Sequence, residues 1–343
     1  MGIRQLFLGK QSQVYIIAEV GVNHNGSLEL AMKCVDEAVK AGADAVKFQT
    51  FKSSKLVTKS ASKAAYQTQN TNSSESQLEM LRKLELSYDD FIRLQKHCLS
   101  KNIDFLSTPF DDESAEFLNS IHVDAFKIGS GDLNNTPFLS KIDTYGRPVL
   151  LSTGMSNLEE VKESLHVFEK SQVALLHCTS DYPAPVGEVN LLAMKTMFDE
   201  FGVITGYSDH TEGHEVTIAA IALGAKVIEK HFTLDRSLPG PDHQASLEPA
   251  QFSEMIRAVR LVEQALGDGV KRCMPSEENT KVVARKSLVI ARPVKAGTLL
   301  SADDLIIKRP GTGIEPKNYD RVLGKKLLRD MDGDEMLSWD DLA

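Results

Sequence analysis

Two histidines carry the sharpest chemical signal in this 343-residue chain. His210 closes the segment Gly206-Tyr207-Ser208-Asp209-His210, and His231 closes Ile228-Glu229-Lys230-His231. If both segments are neighbouring buried strands, two imidazoles stand side by side. Such a pair leaves positions open for water and a substrate oxygen, as a catalytic divalent ion needs. Nitrogen and oxygen ligation of this kind suits Mn2+, with Mg2+ or Co2+ as alternatives, better than a structural zinc. The plainer reading is two polar residues on separate loops; their recurrence at adjacent strand ends favours the metal.

Other polar residues also fall at the ends of apolar runs. They are Glu19 and Asn23, Lys47 and Gln49, Ser107 and Thr108, Lys127 and Ser130, Ser152 and Thr153, His177 and Thr179, Ser208 and Asp209, and Glu229. Lys47 lies between Val46 and Phe48, and Lys127 between Phe126 and Ile128, so a solvated lysine is a poor reading for either. Two inward cations with nearby serine and threonine hydroxyls would bind a phosphate and a carboxylate together. His243 follows Gly240-Pro241-Asp242 on the last connection and is placed to face the same site. His97, His122, His166 and His214 read as structural, and His24 sits on the first connection.

The elements that must position these groups are eight short apolar runs at 14–21, 45–51, 104–110, 125–131, 149–155, 173–179, 203–210 and 226–234. The runs are apolar at their starts and polar at their ends, as expected of buried parallel strands. Amphipathic helical patterns follow them at 28–41, 89–101, 113–120, 158–170, 191–201, 215–223 and 249–266, with a weaker one at 136–145. Eight β/α units predict an α/β fold of the (β/α)8 TIM-barrel type, with its active site at the C-terminal strand ends. A doubly wound open sheet would usually show a glycine fingerprint after the first strand, and Gly21-Val22-Asn23-His24-Asn25-Gly26 does not match it. The long connection 52–88, rich in Ser, Thr, Asn and Gln, reads as a lid. The barrel is expected over 1–270, a polar linker over 271–284, and a small domain of short strands and turns over 285–343. No repeat is visible beyond the β/α alternation.

Composition narrows the function. A net charge of −9 argues against a nucleic-acid or membrane-surface binder, so an anionic substrate must be held by a few local cations. The four cysteines form no CxxC pair and read as reduced, mostly buried thiols. The first apolar run is cut short by Glu19, too early for a signal segment or a membrane span, and a cytoplasmic location is expected.

Six motifs, in order, carry a family resemblance. They are Ile16-Ile17-Ala18-Glu19-Val20-Gly21-Val22-Asn23-His24-Asn25-Gly26, Val46-Lys47-Phe48-Gln49-Thr50-Phe51, Leu106-Ser107-Thr108-Pro109-Phe110, Leu151-Ser152-Thr153-Gly154-Met155, Gly206-Tyr207-Ser208-Asp209-His210 and Ile228-Glu229-Lys230-His231-Phe232-Thr233. The chain resembles the bacterial N-acetylneuraminate (sialic acid) synthases, including legionaminic and pseudaminic acid synthases. The tail, with Lys308-Arg309-Pro310-Gly311, resembles their antifreeze-like (SAF) domain.

The resemblance implies a metal-dependent condensation of phosphoenolpyruvate with an N-acetylated amino sugar, releasing phosphate. It implies that Lys47, Thr108, Lys127, Ser130, Ser152 and Ser208 bind phosphoenolpyruvate, with Ser180 standing where some members have Asn. Glu19 matches the catalytic carboxylate, and His210 and His231 match the metal ligands. Gln49, Tyr182 and Asp242 match sugar-side positions, and His243 is placed with them. Asp132 joins them too, in a Ser-Gly-Asp where many members have Ser-Gly-Glu. Arg309 matches a residue that one subunit inserts into its partner's barrel, which implies a domain-swapped homodimer.

The first expectation is an N-acetylneuraminate synthase acting on N-acetylmannosamine. The alternatives are a legionaminic acid synthase using 2,4-diacetamido-2,4,6-trideoxymannose, a pseudaminic acid synthase, or use of phosphorylated N-acetylmannosamine. A Schiff-base aldolase built on Lys47 or Lys127 would need no metal. A sugar- or ice-binding module would leave the row of polar strand ends unexplained.

Overall fold

Eight parallel strands form one sheet: β1 (Tyr15–Gly21), β2 (Ala45–Thr50), β3 (Asp104–Pro109), β4 (Phe126–Ile128), β5 (Val149–Ser152), β6 (Val173–His177), β7 (Ile204–Asp209) and β8 (Val227–His231). This computed structural model describes residues 2–10, 13–71 and 75–343. The strand order is β3-β2-β1-β8-β7-β6-β5-β4, and β3 lies against β4, which closes the ring into a TIM barrel. Successive side chains alternate faces. Ile16, Val46, Phe126, Leu151 and Ile228 therefore pack against the helices. Tyr15, Ile17, Leu106, Leu150, Leu176 and Val227 fill the barrel floor instead.

A short helix absent from the sequence expectation, α1 (Ile3–Phe7), plugs that floor with Ile3, Leu6 and Phe7. Asp104 anchors it, accepting from the Ile3 amide and from the Tyr15 hydroxyl, both at 2.6 Å.

The outer helices obey their local caps. α2 (Leu28–Ala41) starts behind the Ser27 side chain and stops at Gly42, whose φ of 94° is the left-handed cap. The connection expected as a lid is itself helical, with α3 (Ser53–Leu56), α4 (Ala65–Thr71) and α5 (Gln77–Leu84). A reciprocal Ser76–Glu79 capping box starts α5. Then come α6 (Tyr88–Ser100), α7 (Asp112–Ser120), α8 (Thr136–Thr144), α9 (Leu158–Leu165), α10 (Leu192–Phe201), α11 (Glu215–Ala222) and α12 (Pro249–Leu266). α9 is shorter than the pattern 158–170 suggests. The carboxylate of Asp143 accepts the amides of Glu169, Lys170 and Ser171 and so takes those donors out of any helix. β4 is shorter too, because the chain turns at Gly129 into a 3-10 turn, Ser130–Asp132.

The barrel unit spans Met1–Gly267 and a second unit spans Asp268–Ala343. The segment expected as a linker is partly helical, with a 3-10 turn at Pro275–Glu277 and α13 (Glu278–Ala284). The second unit has its own core of Leu288, Ile290, Val294, Leu300, Leu327 and Leu337 under an antiparallel pair, β9 (Ser287–Ile290) and β10 (Leu305–Lys308), with α14 (Tyr319–Val322).

The structure also exposes an internal repeat that the sequence reading missed. Leu300-Ser301-Ala302-Asp303-Asp304-Leu305 and Leu337-Ser338-Trp339-Asp340-Asp341-Leu342 make the same Ser–Asp capping box. Each second aspartate accepts from an arginine at the same spacing upstream, Arg292 to Asp304 and Arg329 to Asp341. Main-chain bonds in both directions between Val294 and Met331 pair the two copies. Divergent residues between these few matching positions hide the relation in one dimension.

Candidate active site

One pleat above the apolar floor, the inward-facing residues change character. Ile17 is followed by Glu19, Ala45 by Lys47, Leu106 by Thr108, Ala125 by Lys127, Leu150 by Ser152 and Val227 by Glu229. All six upper residues are buried and line one cavity of about 460 Å3. Lys47 Nζ lies 2.8 Å from Glu19 Oε2 and 3.7 Å from Glu229 Oε2, and donates to Thr108 Oγ1 at 3.2 Å. Lys127 Nζ lies 3.6 Å from Glu229 Oε1 and donates to Ser152 Oγ at 2.7 Å. Ser208 Oγ donates to Glu229 Oε1 at 2.8 Å, and Gln49 Nε2 donates to Glu19 Oε1 at 3.2 Å.

These contacts drive the two carboxylates apart. Burial raises Glu19 above the usual carboxylate range; Lys47 opposes the rise and Glu229 adds to it. Burial would raise Glu229 as well, but Lys127, Lys47 and the Ser208 hydroxyl outweigh it and hold the group low. Burial lowers Lys127, offset in part by Glu229. Burial would also lower Lys47, but Glu19 and Glu229 outweigh it and raise the group. Two carboxylates pushed in opposite directions are a common arrangement for acid–base work. Glu229 is a candidate functional residue of the cavity that the sequence reading left without a role. Its signal was its place two residues before His231, on the same strand face.

His210 and His231 stand above this layer with ring centroids 5.5 Å apart, and the Tyr182 ring packs at 4.2 Å from the first and 5.4 Å from the second. His210 Nδ1 sits 2.7 Å from the Thr179 carbonyl, which makes it the protonated nitrogen. Its Nε2 is 3.2 Å from Ser208 Oγ, whose one proton goes to Glu229, so the Nε2 lone pair stays uncommitted. His231 Nδ1 is buried without a hydrogen-bond partner. Burial lowers His210 to about 4, against the Thr179 contact, and holds His231 well below its ordinary value. Two neutral imidazoles, one oriented by a backbone carbonyl, fit the donor set of a divalent metal. Among the described residues no cluster of three or more His, Cys, Asp or Glu is grouped to hold a metal ion.

Ser130 and Ser180 meet at the rim around Gly154, whose amide donates to Ser130 Oγ at 2.9 Å. A Cβ there would lie 2.2 Å from Ser180 Oγ and 2.9 Å from Ser130 Oγ, so only glycine lets the hydroxyls converge. The lid lines the cavity with Leu56, Val57, Met80, Leu81 and Leu84, which pack with Val22 and Phe110, and also with the polar Gln67 and Gln77. The lid is tied down twice. Asn70 Nδ2 donates to the Pro241 carbonyl at 2.6 Å, and the Lys83 carbonyl rests on Gly26, where a Cβ would approach to 2.2 Å.

Of the sugar-side residues expected from the sequence, Gln49, Tyr182 and Asp242 line the cavity, and burial raises Asp242 to about 6 against the pull of Lys47. His243 does not line it. The 3-10 turn at His243–Ala245 turns this residue into the loop, where it is fully buried with Nδ1 2.7 Å from Thr233 Oγ1 and Nε2 3.3 Å from Asn25 Oδ1. Asp132 is also absent from the lining; it is half-buried and accepts from Asn135 Nδ2 at 3.0 Å within its own turn. Arg309 is an exposed residue of the second unit.

Comparison with known proteins gives the chain its family. The sequence matches the NeuB family over residues 34–271 and the SAF domain over residues 285–343. It is 46% identical over 327 residues to N,N'-diacetyllegionaminic acid synthase of Campylobacter jejuni, covering 94% of this chain and 98% of that one. The Legionella pneumophila enzyme of the same name is 43% identical over 339 residues, covering 97% and 95%. The crystal structure of N-acetylneuraminic acid synthetase from Leptospira borgpetersenii superposes with a TM-score of 0.70 at 34% identity, over 78% of this chain and 90% of that one. The chain belongs to the NeuB family and is a phosphoenolpyruvate-dependent synthase of the sialic-acid type. No helix among the described residues is long and apolar enough to cross a membrane.

Proposed function

We propose that the chain condenses phosphoenolpyruvate with 2,4-diacetamido-2,4,6-trideoxymannose, giving N,N'-diacetyllegionaminic acid and phosphate. The observation that carries the choice of sugar is the apolar part of the lid lining, Leu56, Val57, Met80, Leu81 and Leu84. Its leucines, valine and methionine suit a methyl at carbon 6 and a second acetamido methyl. Lys47 and Lys127 are the lysines of the lining among the described residues, and the phosphoenolpyruvate site proposed here already uses both, which speaks against a second phosphate on the sugar. The resemblance to two synthases of this product supports the same choice. N-acetylmannosamine is the second reading, since Gln49, Tyr182 and Asp242 offer partners for added hydroxyls.

Lys47 and Lys127, with the hydroxyls of Thr108, Ser130, Ser152, Ser180 and Ser208, hold the carboxylate and phosphate and orient carbon 3 toward the sugar aldehyde. His210 and His231 would hold a divalent ion, Mn2+ before Mg2+ or Co2+, which when bound supplies Lewis-acid polarisation of a carbonyl oxygen. Glu19, raised by burial and fixed by Gln49, exchanges a proton with the aldehyde oxygen or the incoming water. The bond between carbon 3 and the aldehyde carbon forms, water adds at carbon 2, and phosphate leaves. The resemblance around Arg309 supports a homodimer in which this residue serves the partner's barrel.

The deciding experiment supplies phosphoenolpyruvate and Mn2+ with each of three sugars, the trideoxy diacetamido sugar, N-acetylmannosamine and its phosphate, and measures phosphate release. The trideoxy sugar should give the highest kcat/KM. A higher value for either other sugar would overturn the choice. Glu19→Gln should lower kcat by about 10^2 to 10^4 with Mn2+ affinity retained, as general acid–base catalysis predicts.

A further inference from the structure

The alternation that turns Ser208, His210, Glu229 and His231 into the barrel turns Asp209 and Lys230 outward, opposite each other in the β7–β8 ladder. Both side chains are fully buried, and Lys230 Nζ lies 3.1 Å from Asp209 Oδ2. Asp209 Oδ1 accepts from the Thr211 amide at 2.9 Å and from the Thr211 hydroxyl at 2.7 Å. Asp209 Oδ2 accepts from Thr217 Oγ1 of α11 at 2.6 Å. Lys230 Nζ also donates to the Thr211 carbonyl at 2.6 Å. The residue before His210 thus supplies a carboxylate that binds the residue after it, and the same carboxylate binds the residue just before His231.

Stability alone is a weak reason for such a pair. Two charges lose their hydration on burial, and apolar side chains of similar volume often hold a fold as well or better. Neither residue lines the cavity, so neither can touch substrate. What they share is adjacency to an imidazole on each of two strands.

We infer that Asp209 and Lys230 form a clasp behind the barrel wall that sets the spacing and aim of His210 and His231, and through them the affinity for a divalent ion. They are positioning residues, and the inference rests on the metal reading given above. The clasp ties the chain at Thr211, where β7 has already ended and the ladder no longer fixes the backbone that carries His210.

The test is Mn2+ titration of the full-length, chelator-treated protein by calorimetry, without substrate. Lys230→Met leaves Asp209 as a lone buried charge and risks misfolding, so the decisive variant is the double change Asp209→Asn with Lys230→Met. It should weaken Mn2+ binding by roughly 10- to 100-fold, the usual cost of losing a group that orients metal ligands. Its urea midpoint should stay near the parent's, and its KM for phosphoenolpyruvate at saturating Mn2+ should be unchanged. Lys230→Arg, which keeps the charge and can reach the Thr211 carbonyl, should recover most of the affinity. A folded double variant that binds Mn2+ within twofold of the parent overturns the clasp alone. Affinity that falls only in step with the folded fraction also overturns it. A parent protein that binds no Mn2+ overturns the metal reading and the clasp together.

Discussion

The floor of the barrel and the layer just above it are made by the same strands, on the same face, about 7 Å apart at the usual strand rise. Below, Ile17, Leu106, Leu150 and Val227 pack with the plug helix α1 and contain no charge. Above, Glu19, Lys47, Lys127 and Glu229 are buried as deeply and are all charged side chains. Burial stabilises the first set directly. It works against the second set, which is held only because each charge faces an opposite one. A single pleat separates the part of the barrel that holds it together from the part proposed to do chemistry. The two sets should therefore fail differently when changed.

The largest effect should come from the upper layer. Lys127→Met removes a cation from Glu229 and a donor from Ser152, and should lower kcat/KM for phosphoenolpyruvate by about 10^3, the scale of losing a preorganised donor. A loss under tenfold in the phosphate-release assay would erase the distinction. The matched change in the floor, Leu150→Ala, should cost about 2–5 kcal/mol of stability by urea denaturation, with KM for phosphoenolpyruvate within twofold of the parent. A large KM change would mean that the layers are coupled.

The lid sets a smaller test of the upper layer. Gly26→Ala strains a position at φ 71° and pushes on the Lys83 carbonyl, at a cost of about 1–3 kcal/mol. It should raise KM for the sugar more than KM for phosphoenolpyruvate in steady-state kinetics.

The smallest effect concerns the second unit, whose carboxylates behave oppositely to Glu19. Burial would raise Asp341, but Arg329 and Ser338 outweigh it and hold the group below its ordinary value. The stability it contributes is complete above the unfolded value of about 4 and is lost as pH falls through the depressed folded value. The chain has a single tryptophan, Trp339, which lies in this unit. Its fluorescence should report acid unfolding that begins below about pH 4, and Asp341→Asn should flatten that dependence.

Much of this was legible in the sequence. The eight strands show because burial on both faces demands apolar runs. α2 and α12 match their expected limits because Ser27, Gly42, Pro249 and Gly267 mark the ends locally. The end of α9 was illegible because Asp143, on another helix, sets it. α1 was illegible because five residues show little periodicity and gain their stability from the floor they cover. In the site, a two-residue step places Glu19, Lys47, Thr108, Lys127, Ser152 and Glu229 on one face. No periodicity governs loops, so nothing in the sequence separated Asp242, which faces the cavity, from His243, which turns away.

The four charges of the upper layer, two lysines and two glutamates when ionised, sum to zero inside a chain of net charge −9. Such a cluster has no monopole to draw an anion from a distance, so substrate capture gains little from electrostatic steering. Under the proposed function, phosphoenolpyruvate would enter by exchange, its carboxylate and phosphate competing with Glu19 and Glu229 for the same two ammonium groups. Selectivity then lies in which anion can match the geometry those glutamates already occupy.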